Sequence, residues 1–289
     1  MLLRDLKLHF HSELDALYDP NEVANFFYLL CDHYLDFPKH HLAMYPQQTI
    51  SMSDTQLFKR ALEALKQHVP IQYIMEQTEF FGVTIKVNNS VLIPRPETEE
   101  LVAWIIEHLQ NTKEHSPKIL DIGTGSGCIA IALAAKLKDA EIDALDVSIE
   151  ALDLARSNAE LNAVSVTFYS ENILDPDKKN GLSNKKYDLI VSNPPYVRVS
   201  EKQLMQDNVL KNEPHLALFV ENEDPLLFYK AILNFCSDHL VANGYLFFEI
   251  NEYLADEMLS LISAFDFEKV ELKRDLFGKE RMIKARKIK

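Results

Sequence analysis

Apolar residues in the first 75 positions recur every three or four residues, which predicts helices. The two clearest sets are Val23, Phe26, Phe27, Leu30 and Leu57, Ala61, Leu62, Leu65. Ser53 is placed to act as the N-cap of the second helix, and Pro38, Pro46 and Pro70 interrupt the segment. Glycine is absent before Gly82. The segment therefore predicts a small helical bundle, with a structural or a partner-binding role.

The spacing of apolar residues changes from a helical to an alternating pattern after residue 78. Residues 79–87 alternate apolar and polar positions in their second half, and Asn88-Asn89-Ser90 supplies turn residues before the apolar run 91–93. This pattern predicts a β-hairpin over 78–93 that joins the bundle to the rest of the chain.

A stiff segment, Pro94-Arg95-Pro96, then leads into an amphipathic helix. The first turn of that helix carries Glu97, Glu99 and Glu100, which suit the positive end of a helix dipole. Helix capping explains these acids, but it does not explain an arginine held between two prolines. We therefore expect Arg95 to be positioned for a purpose.

From residue 117 onward, short apolar runs alternate with stretches of helical period. The predicted strands are 118–121, 141–146, 164–169, 187–192, 244–250, 267–273 and 280–286, and the predicted helices are 127–137, 149–162, 225–240 and 252–264. Such alternation predicts an α/β fold with a mainly parallel, doubly wound sheet. In such sheets, ligands bind beyond the carboxyl ends of the strands.

The tetrapeptide Asn193-Pro194-Pro195-Tyr196 follows the predicted strand 187–192 directly. Two prolines cannot continue a central strand, because each lacks the N–H that a sheet ladder needs. The loop therefore offers mainly acceptors, which are the Asn193 side-chain oxygen and the carbonyls of Asn193 and Pro194. A planar –NH2 group needs such partners. On its own, the tetrapeptide fits equally a rigid turn in which Tyr196 packs into the core.

The first strand of the α/β region runs into a glycine-rich loop, Asp121-Ile122-Gly123-Thr124-Gly125-Ser126-Gly127-Cys128. Glycine permits a tight turn and lets a ligand approach the backbone at a helix N-terminus. The third glycine of a dinucleotide fingerprint would fall at Cys128, and the Gly-Lys-Ser/Thr of a P-loop is missing. The spacing instead resembles the nucleoside-methionine loop of class I S-adenosylmethionine-dependent methyltransferases.

That resemblance implies S-adenosylmethionine as the cofactor. The loop residues expected to bind it are Asp121, Gly123, Thr124, Gly125, Ser126 and Gly127. Asp146 ends the next strand, where a carboxylate accepts both ribose hydroxyls in other α/β nucleoside sites. The strand after that ends at Ser170-Glu171-Asn172-Ile173, where adenine lies in this fold, so Asn172 is expected to bind as well. Asn193 completes the predicted cofactor set.

Composition and charge narrow the range of partners. The 289 residues carry a formal net charge of −14, and the basic residues concentrate only near the carboxyl terminus, at 279–289. This balance disfavours nucleic acid as the main substrate. Apolar runs long enough for a signal peptide or a transmembrane helix are absent from the sequence. Three scattered cysteines argue against a disulfide frame or a zinc site, and we expect no metal.

Nearly the whole chain resembles the HemK/PrmC-type protein-glutamine N5-methyltransferases. The stretches that carry the resemblance are 70–74, 79–82, 92–99, 121–127, 191–197, 213–214, 217–218 and 278–281. The resemblance implies an N-terminal helical, partner-binding domain at 1–75, a hairpin linker at 76–96 and a methyltransferase domain at 97–289. It also implies a cytoplasmic, monomeric enzyme that methylates the glutamine of the Gly-Gly-Gln motif in peptide chain release factors.

The Asn-Pro-Pro-Tyr motif is shared with adenine-N6 methyltransferases, so that activity on DNA or RNA stays open as the alternative. The Pro-Arg-Pro-Glu-Thr-Glu stretch points to the glutamine branch. A third hypothesis is a non-catalytic adaptor that binds cofactor and partner. In the favoured interpretation, Asn193 and the Pro194 carbonyl accept the two N–H bonds of the substrate amide and Tyr196 stacks on its plane. Pro195 and Arg95 complete the substrate-binding set.

Overall fold

A computed structural model describes residues 1–45, 47–112, 116–175, 181–205 and 207–289. The chain divides into two compact units. The first contains Met1–Glu76 together with Gln206–Asn212, and the second contains Gln77–Met205 together with Glu213–Lys289. Helices in the described part of the chain do not reach the length and apolarity needed to cross a membrane.

The first unit is helical, as its sequence predicts. Its helices are Leu3–Leu14 (α1), Pro20–Leu35 (α2), His41–Met44 (α3), Met52–Lys66 (α4), Ile71–Met75 (α5) and Asp207–Asn212 (α9). Edge-to-face and tilted aromatic pairs fill its core, with ring centroids 5.4 Å apart for Phe10 and Phe27 and 5.7 Å apart for Phe27 and Phe58. Helix α9 was not foreseen, and Asn212 Nδ2 donates to the His68 carbonyl at 3.0 Å. Pro46 lies outside the described residues.

The N-cap of α4 is Ser51, and the prediction of Ser53 was wrong. Ser51 is extended, and its hydroxyl oxygen accepts the Asp54 backbone N–H at 3.0 Å. Ser53 lies two residues later, inside the helix. Both serines precede the apolar stripe, so spacing alone did not separate them.

A β-hairpin opens the second unit, but its turn lies earlier than predicted. Strands Gln77–Phe80 (β1) and Val83–Lys86 (β2) pair antiparallel around Phe81 and Gly82, which both have positive φ values (48° and 77°). Two such residues match the twist of a two-residue hairpin turn. Asn88 forms a separate turn with its side-chain oxygen on the Ser90 N–H (2.9 Å), and residues 91–93 form no strand. The turn prediction at 88–90 was therefore wrong.

The outer edge of β2 is covered by a helix. Asn158 lies in Ile149–Leu161 (α8), and Asn162, the residue that caps its carboxyl end, follows one turn later. The Asn158 side chain accepts from the Lys86 N–H at 2.8 Å and donates to its carbonyl at 3.0 Å, and Asn162 pairs with Thr84 in the same way (3.2 and 2.7 Å). Asn158 Nδ2 also donates to the Ser126 carbonyl at 2.9 Å, which links the hairpin to the glycine loop.

Seven strands of the described chain form one sheet in the order β10-β11-β9-β6-β3-β4-β5. They are Lys118–Ile122 (β3), Glu141–Asp146 (β4), Thr167–Ser170 (β5), Tyr187–Ser192 (β6), Leu240–Glu249 (β9), Phe267–Arg274 (β10) and Glu280–Lys287 (β11). Strands β5, β4, β3, β6 and β9 run parallel to one another, whereas β11 is antiparallel to β9 and to β10. The predicted mainly parallel sheet is confirmed.

Helices cover both faces of this sheet. Consecutive residues of β9 point to opposite faces. Phe247 contacts Trp104 of Pro96–Thr112 (α6), and Phe248 contacts Tyr229 of Leu227–His239 (α11), with centroid distances of 5.4 and 5.0 Å. The remaining helices of the sheet region are Cys128–Lys136 (α7) and Ala255–Ser263 (α12). The doubly wound architecture is therefore confirmed.

A compact insertion follows β6, and the sequence pattern did not predict it. It contains Val197–Arg198 (β7), a 3-10 helix at Val199–Leu204, His215–Leu218 (α10) and Phe219–Val220 (β8). The two short strands pair parallel to each other. Elements of two to six residues are too short to show a period in the sequence.

Candidate functional site

A cavity of about 360 Å³ opens at the carboxyl edge of the sheet. In the strand register, Ile122 pairs with Leu145 on one side and with Ser192 on the other, so the loops after β3, β4 and β6 emerge side by side. The predicted site residues that line the cavity are Arg95, Gly123, Thr124, Gly125, Ser126, Asp146, Asn172, Asn193, Pro194 and Pro195. Asp121, Gly127 and Tyr196 lie outside its wall.

The glycine loop presents bare backbone to the cavity. Gly123 and Gly125 have positive φ values of 73° and 54°, and a Cβ built on either would meet no described atom within 4 Å. Gly127 differs, since its Cβ would lie 2.9 Å from Ile131 Cδ1 and 3.1 Å from Ala155 Cβ. The first two glycines therefore leave room for a ligand, and the third allows the loop to pack on its helices.

Asp146 ties the end of β4 to the glycine loop. Its Oδ2 accepts the Gly125 N–H at 2.8 Å, and its Oδ1 accepts the Ser148 N–H at 3.0 Å. Burial raises the pKa of the Asp146 carboxyl, while these backbone donors act in the opposite direction. A carboxylate has about four lone-pair positions, so two remain for a ligand in the cavity.

Asp121 is fully buried behind the loop. Its Oδ2 accepts the Thr124 hydroxyl at 2.6 Å, whereas its Oδ1 has no hydrogen-bond partner among the described residues. Burial raises the pKa of Asp121 to about 7, although the Thr124 bond lowers it. An ionised carboxylate in this place is costly to bury, and a cationic ligand in the cavity would offset part of that cost through its charge.

The end of β5 forms the third side of the cavity. The Glu171 N–H donates to the Asp146 carbonyl at 3.1 Å, and Glu171 Oε1 accepts the Gly181 N–H at 3.2 Å. Asn172 is exposed, and its side-chain oxygen accepts the Leu174 N–H at 3.0 Å. Its amide NH2 is the part of the side chain that this turn does not use.

The Asn193 side chain is held by a chain of buried polar groups. Asn193 Nδ2 donates to Thr98 Oγ1 at 3.2 Å, and the Thr98 hydroxyl donates to Glu249 Oε2 at 2.7 Å. Thr98 and Glu249 are 2% and 1% exposed. Burial raises the pKa of Glu249, against the lowering effect of its hydroxyl donors and of the Arg281 charge. Sequence reasoning missed both residues.

The Tyr196 side chain does not point into the cavity as the expected stacking role requires. Its hydroxyl donates to Glu249 Oε1 at 3.0 Å, and its ring packs against the core. Burial, with the nearby Glu249 charge, raises the pKa of this phenol. The buried carboxylate explains the difference, because it needs a donor and Tyr196 supplies one. Asn251 Nδ2 fixes the same loop by donating to the Tyr196 carbonyl at 3.2 Å.

Arg95 lines the cavity with its guanidinium group already engaged. Nη2 donates to Glu213 Oε1 at 2.6 Å, and Glu213 Oε2 accepts the Ile93 N–H at 3.2 Å. Glu213 is 4% exposed, so this ion pair is largely buried on the acid side. The signal was present in the sequence, because Glu213-Pro214 is one of the stretches that carry the resemblance.

The described cysteines, Cys31, Cys128 and Cys236, form no disulfide. Burial raises the pKa of Cys128 to about 12, so that thiol is protonated at neutral pH although it lines the cavity. The described residues contain no group of three or more potential metal ligands.

Comparison with known proteins identifies the family. The chain is 45% identical over 286 residues to a release factor glutamine methyltransferase of Flavobacterium psychrophilum, with 99% of each chain covered. The chain belongs to the family of release factor glutamine methyltransferases. A family member from Bacteroides thetaiotaomicron is 40% identical over 96% of this chain and 97% of its own, and one from Streptococcus pneumoniae is 37% identical over 98% of both.

Family matches cover both parts of the chain. Residues 7–75 match the PrmC N-terminal domain, and residues 101–218 match the methyltransferase small domain. A methyltransferase from Pyrococcus furiosus and the human methyltransferase 10 domain containing protein superpose with TM-scores of 0.52. Each is 20% identical, covers 72% of this chain and is itself covered to 91%. At that identity the likeness shows the fold alone, and the resemblance found in the sequence is confirmed by the relatives.

Proposed function

We propose that this protein transfers a methyl group from S-adenosylmethionine to the side-chain amide nitrogen of the glutamine in the Gly-Gly-Gln motif of peptide chain release factors. Membership of the family is the observation that carries this function. The cavity supports it, because Asn193 and Pro194 line it next to a glycine loop that leaves backbone exposed.

The described residues fit S-adenosylmethionine. Gly123 and Gly125 leave the loop open, Asp146 has acceptor capacity for the ribose hydroxyls, and the Asp121 carboxyl lies buried behind the loop, where its charge favours a cationic ligand. The exposed Asn172 lies where adenine is expected. The cofactor supplies a methyl group activated by a sulfonium centre.

Positioning of the amide is the task of the Asn193 loop. The nitrogen of an amide is a poor nucleophile, because its lone pair is delocalised into the carbonyl. Asn193 Oδ1 and the Pro194 carbonyl accept the two N–H bonds of the substrate, and this aims the nitrogen at the methyl group. Holding reactants in a near-attack geometry can lower a barrier by about 7–11 kcal/mol.

The same acceptors stabilise the positive charge that grows on the nitrogen as the bond forms. This interaction strengthens in the transition state, so it accelerates the chemical step. The charged product amide is strongly acidic and loses its proton without a dedicated base. Arg95, held by the buried Glu213, lines the cavity and shapes the substrate side, while Pro195 keeps the loop rigid.

The remaining assignments extend the proposal to the whole chain. Residues 1–75 bind the release factor, residues 76–96 link them to the catalytic part, and residues 97–289 carry out the transfer. The enzyme acts as a monomer in the cytoplasm, where release factors work, and nucleic acid is not its substrate. The charge of −14 and the match of residues 7–75 to the PrmC N-terminal domain support these assignments.

Transfer of a labelled methyl group tests the proposal. The purified enzyme is incubated with labelled S-adenosylmethionine and one of four acceptors: a release factor, its Gly-Gly-Ala variant, total RNA or DNA. We expect label on the first acceptor only, on the glutamine. Label on RNA or DNA alone would replace the proposal with adenine methylation, and cofactor binding without any transfer would support an adaptor.

A further inference from the structure

Three distant segments meet behind the Asn193 side chain. Thr98 comes from the first turn of α6, Asn193 follows β6, and Glu249 ends β9, 151 residues after Thr98 in the sequence. Thr98 lines the cavity and Glu249 does not, and the proposed function assigns neither of them a hydrogen bond to the substrate amide. A buried threonine and a buried glutamate in this place therefore need an explanation.

The direction of the hydrogen bonds explains why Thr98 and Glu249 lie here. Both oxygens of the Glu249 carboxylate accept protons, Oε2 from Thr98 at 2.7 Å and Oε1 from Tyr196 at 3.0 Å. A hydroxyl has one proton, so the proton of Thr98 is committed to Glu249. Toward Asn193, Thr98 can then offer only a lone pair. The Asn193 group that faces it at 3.2 Å must be the NH2.

This requirement fixes which end of the amide the substrate meets. An asparagine amide looks nearly symmetrical, and only its hydrogen-bond partners decide the orientation. With Nδ2 turned to Thr98, Oδ1 is left for the cavity that Asn193 lines. The reversed orientation would set two acceptors against each other at Thr98 and present an NH2 to the NH2 of a glutamine.

We propose that Thr98 and Glu249 are positioning residues that hold the Asn193 amide with its oxygen toward the substrate nitrogen. The inference rests on the proposed function, in which that oxygen accepts one N–H of the glutamine. Tyr196 belongs to the same hydrogen-bond network, because it donates to Oε1 of Glu249 and leaves Oε2 to Thr98. This gives the tyrosine of the tetrapeptide a role in orienting Asn193.

Three substitutions test this arrangement by steady-state kinetics. Thr98→Val keeps the shape and removes the hydroxyl, Thr98→Ser keeps the hydroxyl, and Glu249→Gln leaves a single acceptor oxygen for the hydroxyls of Thr98 and Tyr196. We expect kcat to fall at least about tenfold in Thr98→Val, to fall by less in Glu249→Gln, and to recover in Thr98→Ser. The dissociation constant for S-adenosylmethionine and the KM for the release factor stay near the wild-type values.

Thr112→Val is the matched control, since Thr112 lies on the same helix and its hydroxyl bonds only the Leu109 carbonyl at 3.2 Å among the described contacts. It should keep the wild-type kcat. Thermal unfolding is measured for every variant, so that a loss of kcat caused by poor folding shows as a joint loss of cofactor binding.

A spectroscopic readout does not depend on turnover. The side-chain 15NH2 signals of Asn193, assigned with Asn193→Ser, report the bond to Thr98 directly. We expect slow proton exchange and a distinct shift in the wild type and in Thr98→Ser, and averaged signals in Thr98→Val. Wild-type kcat in both Thr98→Val and Glu249→Gln, or wild-type Asn193 signals in Thr98→Val, would overturn the inference.

The two proposals fail separately. If the wild-type enzyme does not methylate the release factor, the proposed function is wrong, and the 15NH2 signals still decide whether Thr98 orients Asn193. If Thr98→Val and Glu249→Gln do not fold, the wild-type signals and those of Thr98→Ser decide: freely exchanging protons on Asn193 in these proteins would overturn the inference.

Discussion

The wall of the cavity after β3 and β4 is made of backbone, whereas the wall after β6 is made of side chains held by other side chains. On the first wall, Gly125 donates its N–H to Asp146, 21 residues away. On the second, Asn193 depends on Thr98 and through it on Glu249, 95 and 56 residues away along the chain. The first wall is thus a local structure, and the second is a tertiary one.

This difference indicates how each wall responds to substitution. A change on the backbone wall should alter cofactor affinity and leave the chemistry of the bound complex intact. A change on the side-chain wall should alter kcat and leave cofactor affinity intact. The four predictions that follow run from the largest expected effect to the smallest.

Asn193→Ala should lower kcat by at least about a thousandfold, because the oriented acceptor for the substrate N–H is lost. The dissociation constant for S-adenosylmethionine should rise only a few-fold. Single-turnover methylation of the release factor, together with calorimetry for the cofactor, measures both. Full turnover in this variant would remove Asn193 from the catalytic role.

Asp146→Ala should weaken cofactor binding by about 10- to 100-fold, the range expected for charged hydrogen bonds to two hydroxyls. At saturating cofactor, kcat should stay within a few-fold of wild type. Asp146→Asn is the matched variant and should lie between the two, since it keeps one acceptor. An unchanged dissociation constant in Asp146→Ala would contradict the ribose role.

The affinity for S-adenosylmethionine should rise by up to about tenfold as the pH increases from 6 to 8. Asp121 has a pKa of about 7, raised by burial, so its carboxylate is mostly protonated at the lower pH and mostly ionised at the higher. Only the ionised form places a negative charge behind the glycine loop, where it favours a cationic ligand in the cavity. Calorimetric titrations across this range should show the rise in wild type and a flat profile in Asp121→Asn.

Arg95→Lys should raise the KM for the release factor by about threefold, because lysine keeps the charge but loses the planar fork. The cofactor dissociation constant should not change. Arg286→Lys serves as a control, since Arg286 pairs with Glu268 on the strands β10 and β11, away from the cavity. Equal KM values for Arg95→Lys and wild type would place Arg95 outside the substrate side.

The elements that sequence reasoning located correctly are those whose cause is local. Strand β4 was predicted at 141–146 and lies at Glu141–Asp146, because an apolar run between polar ends specifies a buried strand by itself. The glycine loop was found for the same reason. Its spacing reflects backbone conformations that the loop needs, such as φ of 73° at Gly123.

The missed features depend on residues far apart in the sequence. Nothing near Thr98 in the chain indicates that its hydroxyl contacts Glu249. Apart from Arg95, the Pro-Arg-Pro-Glu-Thr-Glu stretch was therefore interpreted only as the cap of a helix. Tyr196 was expected in the cavity because its neighbours are there, and a carboxylate from β9 drew its hydroxyl elsewhere. One weak signal existed, since Glu249 is an acid at the end of the apolar run 246–248 at the ligand-binding edge.

Asn158 and Asn162, which border β2, protect the second unit against pairing with another molecule. A free strand edge is a template for pairing with another molecule. Here the amides and carbonyls of Thr84 and Lys86 are already occupied by Asn158 and Asn162, so the hairpin offers no such template along that side. Since Asn158 also holds the Ser126 carbonyl, peeling the hairpin away would release the glycine loop in the same step. Local opening at this edge and loss of cofactor binding thereby become a single cooperative event.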